Sequence, residues 1–251
     1  MRDLDRLTSP AVARLAATGG VLAVPVGSTE QHGPHLPLGT DTFIARELVG
    51  RICARLPHVV RAPDLALGSS GEHQSFAGTI SLGRAAVHDT LLELGRSAAA
   101  TFTRILLVST HGGNAEPVTE AVRRLRYEGR DVRAWAPDWP SLAERAPDAH
   151  AGWLETSLML AIAPELVELP LAEPGATAPV GQLMDVLRAA GVAAVSPSGV
   201  LGDPTGADAM IGERLLAGAT ASAVRMLDGW PAPLGPRAEE RRLTAGAEAP
   251  S

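Results

Sequence analysis

Unbroken apolar runs alternate with stretches of helical periodicity along this 251-residue chain, and that alternation admits few folds. Val21-Leu22-Ala23-Val24-Pro25-Val26 is apolar throughout, and Ile105-Leu106-Leu107-Val108 is the centre of a second run over 104–110. A strand covered on both faces has no polar side to show, so it reads as a continuous apolar run, whereas a half-exposed strand alternates. Between the two, residues 42–56 place Ile44, Leu48, Ile52 and Leu56 four apart, as one face of a helix does. Val59-Val60 starts a short strand that stops near Pro63, and residues 85–101 read as a helix with Leu91, Leu92 and Leu94. Residues 115–127 form a helix with Val118, Val122 and Leu125 inside, and 131–136 form a further strand. Helices are predicted over 153–162, 182–190 and 206–228, with an irregular connection over 164–180 and a turn at 199–204. Strand–helix alternation of this kind predicts an α/β fold, a mostly parallel sheet with helices on both faces.

The length suits one domain, expected over residues 1–230. The Pro-, Ala-, Arg- and Glu-rich stretch from Trp230 onward, chiefly 231–251, is expected to be frayed or disordered. Apolar residues make up 45% of the chain but aromatics only 3%, so the core must be built from Ala, Val and Leu. The net charge of −6 comes without any Lys/Arg block, which argues against a nucleic-acid or anionic-membrane partner. No apolar stretch reaches the ~18 residues that suggest a membrane span, and Met1-Arg2-Asp3-Leu4-Asp5 lacks the apolar core of a signal peptide. The single cysteine, Cys53, excludes an internal disulfide and reads as a buried small apolar residue. A soluble cytoplasmic protein is expected.

In open parallel sheets the ligand site lies beyond the carboxyl ends of the strands. Four polar loops should meet there: Glu30–Asp41, 69–79, His111-Gly112-Gly113-Asn114 and 148–152. The first reads Glu-Gln-His-Gly-Pro-His-Leu-Pro-Leu-Gly-Thr-Asp. Residues i and i+2 of an extended segment point to one side, so Glu30 and His32 can face one centre, and turns at Pro34 and Pro37 can return Asp41 to it. Carboxylates and imidazoles are the ligands that hard and borderline divalent cations prefer, and three protein ligands with an open position mark a catalytic metal site. The alternative is a polar surface loop in which Thr40 or Asp41 caps a helix. His35 reads as a loop-packing group. His111 sits at a strand end before two glycines and is placed for ligation, with Asn114 as N-cap or substrate contact. Glu72, His73 and Phe76 read as pocket wall and substrate-recognition groups, because the adjacent Glu72 and His73 would rarely face one centre. His150, in a Gly/Ala context, reads as free to move, as a general acid or base must be. Glu155, a helical turn further on, reads as ligand or general base, or as a charge favouring the helix start.

The run Pro25–Asp41 resembles the signature of the creatininase family of metal-dependent amidohydrolases. The likeness extends through Gly71-Glu72-His73, Phe76-x-Gly78-Thr79, His111-Gly112-Gly113-Asn114, His150-x-Gly152, Glu155-Thr156-Ser157 and the 199–204 turn, covering about residues 20–228. It implies a compact three-layer α/β fold with two divalent metal ions: Glu30 and His111 on one, His32 on the other, Asp41 bridging. Creatininase carries a Tyr-Glu pair after the residue matching His111, and that Glu holds the second ion. Gly113 stands there in this chain, and Glu155 is the candidate substitute. Creatininase also has a Glu where this chain has Ala149, and the aromatic residues that cradle creatinine are not evident, so creatinine is not the expected substrate. Residues 70–79 and 125–131 look most like a branch of the family that removes a C-terminal Val-Tyr dipeptide from a radical-modified precursor peptide during redox-cofactor biosynthesis. Another branch deformylates formamidopyrimidine nucleotides. The resemblance further implies a homo-oligomer, up to a hexameric ring. Mixed Glu/His/Asp ligands admit Zn, Fe(II) or Mn.

The expected chemistry is metal-assisted hydrolysis of an amide or peptide bond, with His150 protonating the leaving amine, or Glu155 if it is not a ligand. The competing reading is a non-catalytic binding protein of a biosynthetic complex whose four loops are stapled by a structural metal. One closed ion would favour that reading; two ions with exchangeable water would favour catalysis.

Overall fold

A computed structural model describes residues 2–231. In chain order its elements are α1 (Ser9–Ala17), β1 (Val21–Val26), α2 (Thr40–Arg55), β2 (Val59–Arg61), α3 (Gly83–Ala98), β3 (Arg104–Ser109), α4 (Ala115–Tyr127), β4 (Asp131–Trp135), α5 (Trp139–Leu142), α6 (Trp153–Ile162), α7 (Val180–Ala190) and α8 (Ala209–Asp228). The four strands form one sheet in the order β2-β1-β3-β4, parallel at every pairing. β1 and β3 pair in register from Val21–Arg104 to Val26–Ser109, and every residue of both is buried. That is the physical source of their unbroken apolar character: a central parallel strand has protein on both faces.

Side chains alternate along each strand and so divide into two cores. Val21, Ala23, Leu106 and Val108 face Leu48 and Ile52 of α2, Leu158 of α6 and Leu216 and Ala219 of α8. Leu22, Val24, Ile105 and Leu107 face Val87 and Leu91 of α3 and Val118 and Leu125 of α4, with Val12 and Leu15 of α1 at the edge. The result is three layers, helix on sheet on helix. Cys53 is buried in the first core without a disulfide partner. No helix among the described residues is long and apolar enough to cross a membrane.

Two elements lie outside the sequence expectation. α1 and the four-residue α5 have no fully buried residue and pack only at the core edges, through Val12 and Leu15 and through Trp139 and Leu142, and both are too short for a periodicity to be read. Trp230 departs in the other direction. It was expected to begin a frayed tail, yet it is 2% exposed in the first core. Its indole N–H donates to Asp131 Oδ2 at 2.8 Å, its carbonyl accepts from Arg104 Nη1 at 2.8 Å, and the Arg133 guanidinium lies 4.5 Å from its ring centroid. A large amphipathic ring that finds both an apolar slot and a hydrogen-bond partner anchors the chain whatever the composition after it. The expected disorder over 232–251 lies outside the described residues.

Candidate metal centre

β1, β2 and β3 end on one edge of the sheet, and the loops that follow them meet there with residues 148–152. The β1 loop doubles back on itself. Glu30 N–H donates to Leu38 O at 3.0 Å, and His32 and Leu36 form an antiparallel bridge. The turn between them carries Pro34 and Pro37 and delivers Asp41 into the first turn of α2, whose amide dipoles favour a carboxylate. Asn114 ties the other loops to it: its Oδ1 accepts from Ser69 N at 2.9 Å and its Nδ2 donates to Gly27 O at 2.9 Å. Asn114 is fully buried with both ends of its amide engaged, which makes it a scaffold for these loops.

Glu30 and His32 are 0% exposed and Asp41 is 2% exposed. Asp41 turns its two oxygens to different imidazoles: Oδ1 is 3.7 Å from His32 Nε2, and Oδ2 is 3.4 Å from His111 Nδ1. His111 Nε2 lies 3.2 Å from Glu30 Oε2, and Glu155 Oε2 lies 3.8 Å from His32 Nε2. Glu30, Asp41 and His111 thus form one group whose ligand atoms all lie within 4.8 Å of one another, and His32, His150 and Glu155 form a second. A third contains Glu30, His73 and His150.

Both oxygens of Glu30 and Nε2 of His32 are buried without a hydrogen-bond partner. Buried polar atoms are almost always satisfied, and an orphaned carboxylate costs more than any other group here unless a cation meets it. The electrostatics agree. Burial pushes the Glu30 carboxyl up to about 7, against the pull of His111. Burial alone would lower His32, but the Asp41 carboxylate, helped by Glu155 and Glu30, raises it to about 10. Asp41 is held well below the usual carboxylate range: burial opposes its charge, but His32 and His111 outweigh that. Burial raises Glu155 as well. The tautomers also suit ligation. His32 Nδ1 is 3.1 Å from Glu30 O and His111 Nε2 is 3.0 Å from Ser69 O. A carbonyl oxygen only accepts, so those nitrogens keep their protons, and His32 Nε2 and His111 Nδ1, which face Asp41, are the atoms whose protons a bound cation would displace. Backbone carbonyls that orient imidazoles in this way are the usual support of metal-ligating histidines.

Gly113 stands against the first group. A Cβ there would lie 2.2 Å from Ser69 O and 2.5 Å from His111 Nε2, so no side chain fits, and Glu72 Oε1 is 3.0 Å from the same point. The resemblance left a ligand missing at this position; Glu155, the candidate substitute, lies with its Oε2 3.8 Å from His32 Nε2. Glu72 itself sits at the rim with its side chain 37% exposed. Phe76 packs beside Leu187, Val192 and Leu201 in a small satellite cluster under α7. His35 is buried and hydrogen-bonded to Thr156 Oγ1 at 2.9 Å.

Two residues are held more tightly in the cluster than the sequence reading anticipates. His73, read as a recognition group on the pocket wall, is 4% exposed within the cluster, its Nε2 3.4 Å from Glu30 Oε1. It lies on the 3-10 turn Gly71–His73, and its Nε2 is also 4.0 Å from Glu72 Oε1, so the two adjacent side chains do reach one centre, against the expectation. His150, expected to be free to move, is pinned. Its N–H and C=O pair with Leu201 in an antiparallel bridge, and its Nε2 is 2.7 Å from Gln31 O. The 199–204 turn supplies that bridge, which no local pattern announces. Next to it Ala151 adopts φ +52, a left-handed conformation costly for a non-glycine residue. Its N–H donates to Glu155 Oε2 at 2.6 Å, so this one kink helps to aim both His150 and Glu155 at His32. Gln31 was missed altogether. Alternation points it away from Glu30 and His32, yet its side-chain amide reaches His73 and His150 of the same cluster.

A carboxylate- and histidine-lined centre at the carboxyl edge of a three-layer α/β sheet defines a metallohydrolase-type protein. The family model described as creatinine amidohydrolase matches residues 5–227, and the chain belongs to the creatininase family. Among curated relatives, a mycofactocin precursor peptide peptidase of Mycobacterium ulcerans is 47% identical over 90% of this chain and 92% of its own. One of Mycolicibacterium smegmatis is 49% identical over 78% and 80%. A solved structure of creatininase with Mn superposes with a TM-score of 0.77 at 28% identity, over 92% of this chain and 99% of that one. A mutant creatininase of Zn–Zn type gives 0.76 at 27%, over 92% and 98%.

Proposed function

We propose that this protein is a metal-dependent peptidase that removes the C-terminal Val-Tyr dipeptide from a radical-modified precursor peptide. Two kinds of observation support the reading: relatives at 47% and 49% identity are named mycofactocin precursor peptide peptidases, and Glu30, His32, Asp41, His111 and Glu155 converge on orphaned buried atoms. The relatives carry the substrate, and the donor set carries the metal dependence, because it matches a pair of divalent cations. Glu30, Asp41 and His111 would hold one ion; His32, Asp41 and Glu155 would hold the other. Zn, Fe(II) and Mn all suit such oxygen and nitrogen ligands. When bound, such ions polarise a carbonyl and lower the pKa of water. His150 stays neutral, because burial holds it well below its usual range. Its bond to Gln31 O leaves Nδ1 as the lone pair facing Glu30 at 3.8 Å. There it takes up a proton from water and returns it to the leaving amine. Association into a homo-oligomer, up to a hexamer, belongs to the same proposal, and the exposed Leu166, Leu169 and Leu171 support it.

The test is to incubate the purified protein with the modified precursor peptide and follow dipeptide release by mass spectrometry, with and without excess chelator. Release that stops with chelator is expected. Turnover of creatinine or a formamidopyrimidine in place of the peptide, or release untouched by chelator, overturns the proposal.

A further inference from the structure

Glu30, His73 and His150 have the spacing of a third cation site, but the hydrogen bonds behind the two histidines argue otherwise. We infer that Gln31 is a positioning residue that withholds His73 from metal ligation and presents its Nε2–H to the substrate as a hydrogen-bond donor. The orientation of the Gln31 amide is settled by its neighbours. Its Oε1 accepts from Gly33 N–H at 2.8 Å, and its Nε2 faces Gly199 O at 3.2 Å, which can only accept. The second proton on Nε2 is then free for His73 Nδ1, 2.8 Å away. An imidazole nitrogen that accepts from an amide carries no proton, so neutral His73 is protonated on Nε2, the atom 3.4 Å from Glu30 Oε1.

His150 is set the opposite way by the same residue. Its Nε2 lies 2.7 Å from the Gln31 carbonyl and 3.1 Å from the Gln31 amide nitrogen. Were the amide the donor, a lone pair would face the carbonyl at the shorter distance, so Nε2 carries the proton and donates to the carbonyl. Both rings are thus protonated on Nε2, yet His73 turns an N–H into the cluster and His150 a lone pair. The ring centroids are 4.5 Å apart, so donor and acceptor stand side by side over Glu30. A peptide bond at the cleavage point offers the complementary pair, a carbonyl oxygen and an N–H. The substrate class rests on the function proposed above; the tautomers do not.

The experiment is two-bond 1H–15N correlation NMR of histidine-labelled, metal-free protein, assigned with His73→Gln and His150→Gln. In the wild type His73 and His150 are expected to show an unprotonated Nδ1 and a protonated Nε2. In Gln31→Glu, where the side chain can only accept, Nδ1 of His73 gains a proton, while His150, bonded to the backbone, keeps its pattern. A protonated His73 Nδ1 in the wild type overturns the inference whether or not the variant folds, as does an unchanged His73 in the variant. Metal content is an independent check: His73→Gln, which keeps an N–H donor, retains the wild-type ion count, and loss of an ion sinks the idea. Neither measurement depends on peptide cleavage, so the inference and the proposed function fail separately.

Discussion

At the scale of the residue, Asp41 is the hinge of the centre. One carboxylate serves two imidazoles from opposite oxygens, and Ser28 Oγ donates to Oδ2 at 2.6 Å to hold the plane. Asp41→Ala is expected to cost both ions, which elemental analysis after desalting reads directly; a variant that keeps either at wild-type stoichiometry contradicts the bridge. Gly113→Ala is a subtler probe. The added methyl meets Ser69 O and the His111 ring, neither of which is a flexible side-chain end, so the ring must shift. Weaker binding at the Glu30–Asp41–His111 group, with His32 and Glu155 undisturbed, is expected as loss of one ion rather than two. Much of this was legible in the chain. Glu30, His32 and Asp41 share one motif, and period-two alternation places the first two together. Gln31 was not legible, because its partners lie 42 and 119 residues away.

At the scale of the element, helix starts and ends carry the chemistry and the clamping. Glu155 stands in the first turn of α6, where it accepts from Ala151 N–H and faces His32. Glu155→Gln preserves the amide contact but removes the charge, so one ion of two should be lost while the fold stands, as shown by metal analysis beside circular dichroism. At the far end of the molecule Glu128, just past α4, accepts from Arg96 of α3 at 3.0 Å, Arg124 at 2.8 Å and Arg130 at 2.6 Å. The Arg96 guanidinium first, then Arg124 and Arg130, hold its carboxyl at about 2, below the ordinary 4.5. A carboxyl depressed on folding contributes stability in full above about 4.5 and loses it as pH falls toward 2. Thermal melts of Glu128→Gln should therefore show a deficit against wild type at pH 7 that narrows across that acid window. A constant deficit would assign the loss to shape and not to charge.

At the scale of the whole molecule, stability and function meet in two places. Trp230 closes the first core after the last helix, and Trp230→Ala, a buried aromatic truncation, is expected to cost about 3–5 kcal/mol by denaturant titration. A cost near zero would return Trp230 to the tail. The loops at the opposite edge would be held together by the ions proposed for them. At an ion concentration ~100-fold above Kd, binding to the folded state alone contributes about 2.7 kcal/mol, which for a chain of this size is a Tm shift on the order of 5–10 °C. Calorimetry with chelator and after re-addition of metal reads that shift; an unchanged Tm would deny that metal ties the loops.

The chain by itself determined the three layers, the parallel sheet and which residues most of the candidate ligands are. Those rest on local periodicity and on a contiguous motif, both of which survive without knowledge of distant contacts. The tertiary structure decided what depends on remote neighbours. It moved His73 into the cluster, pinned His150 to Leu201 and set Gln31 between them. It also brought Glu155 to His32, and turned Trp230 from tail into core. In each case the deciding partner is far away in sequence, and burial beside it, not the residue's own propensity, sets what the side chain does.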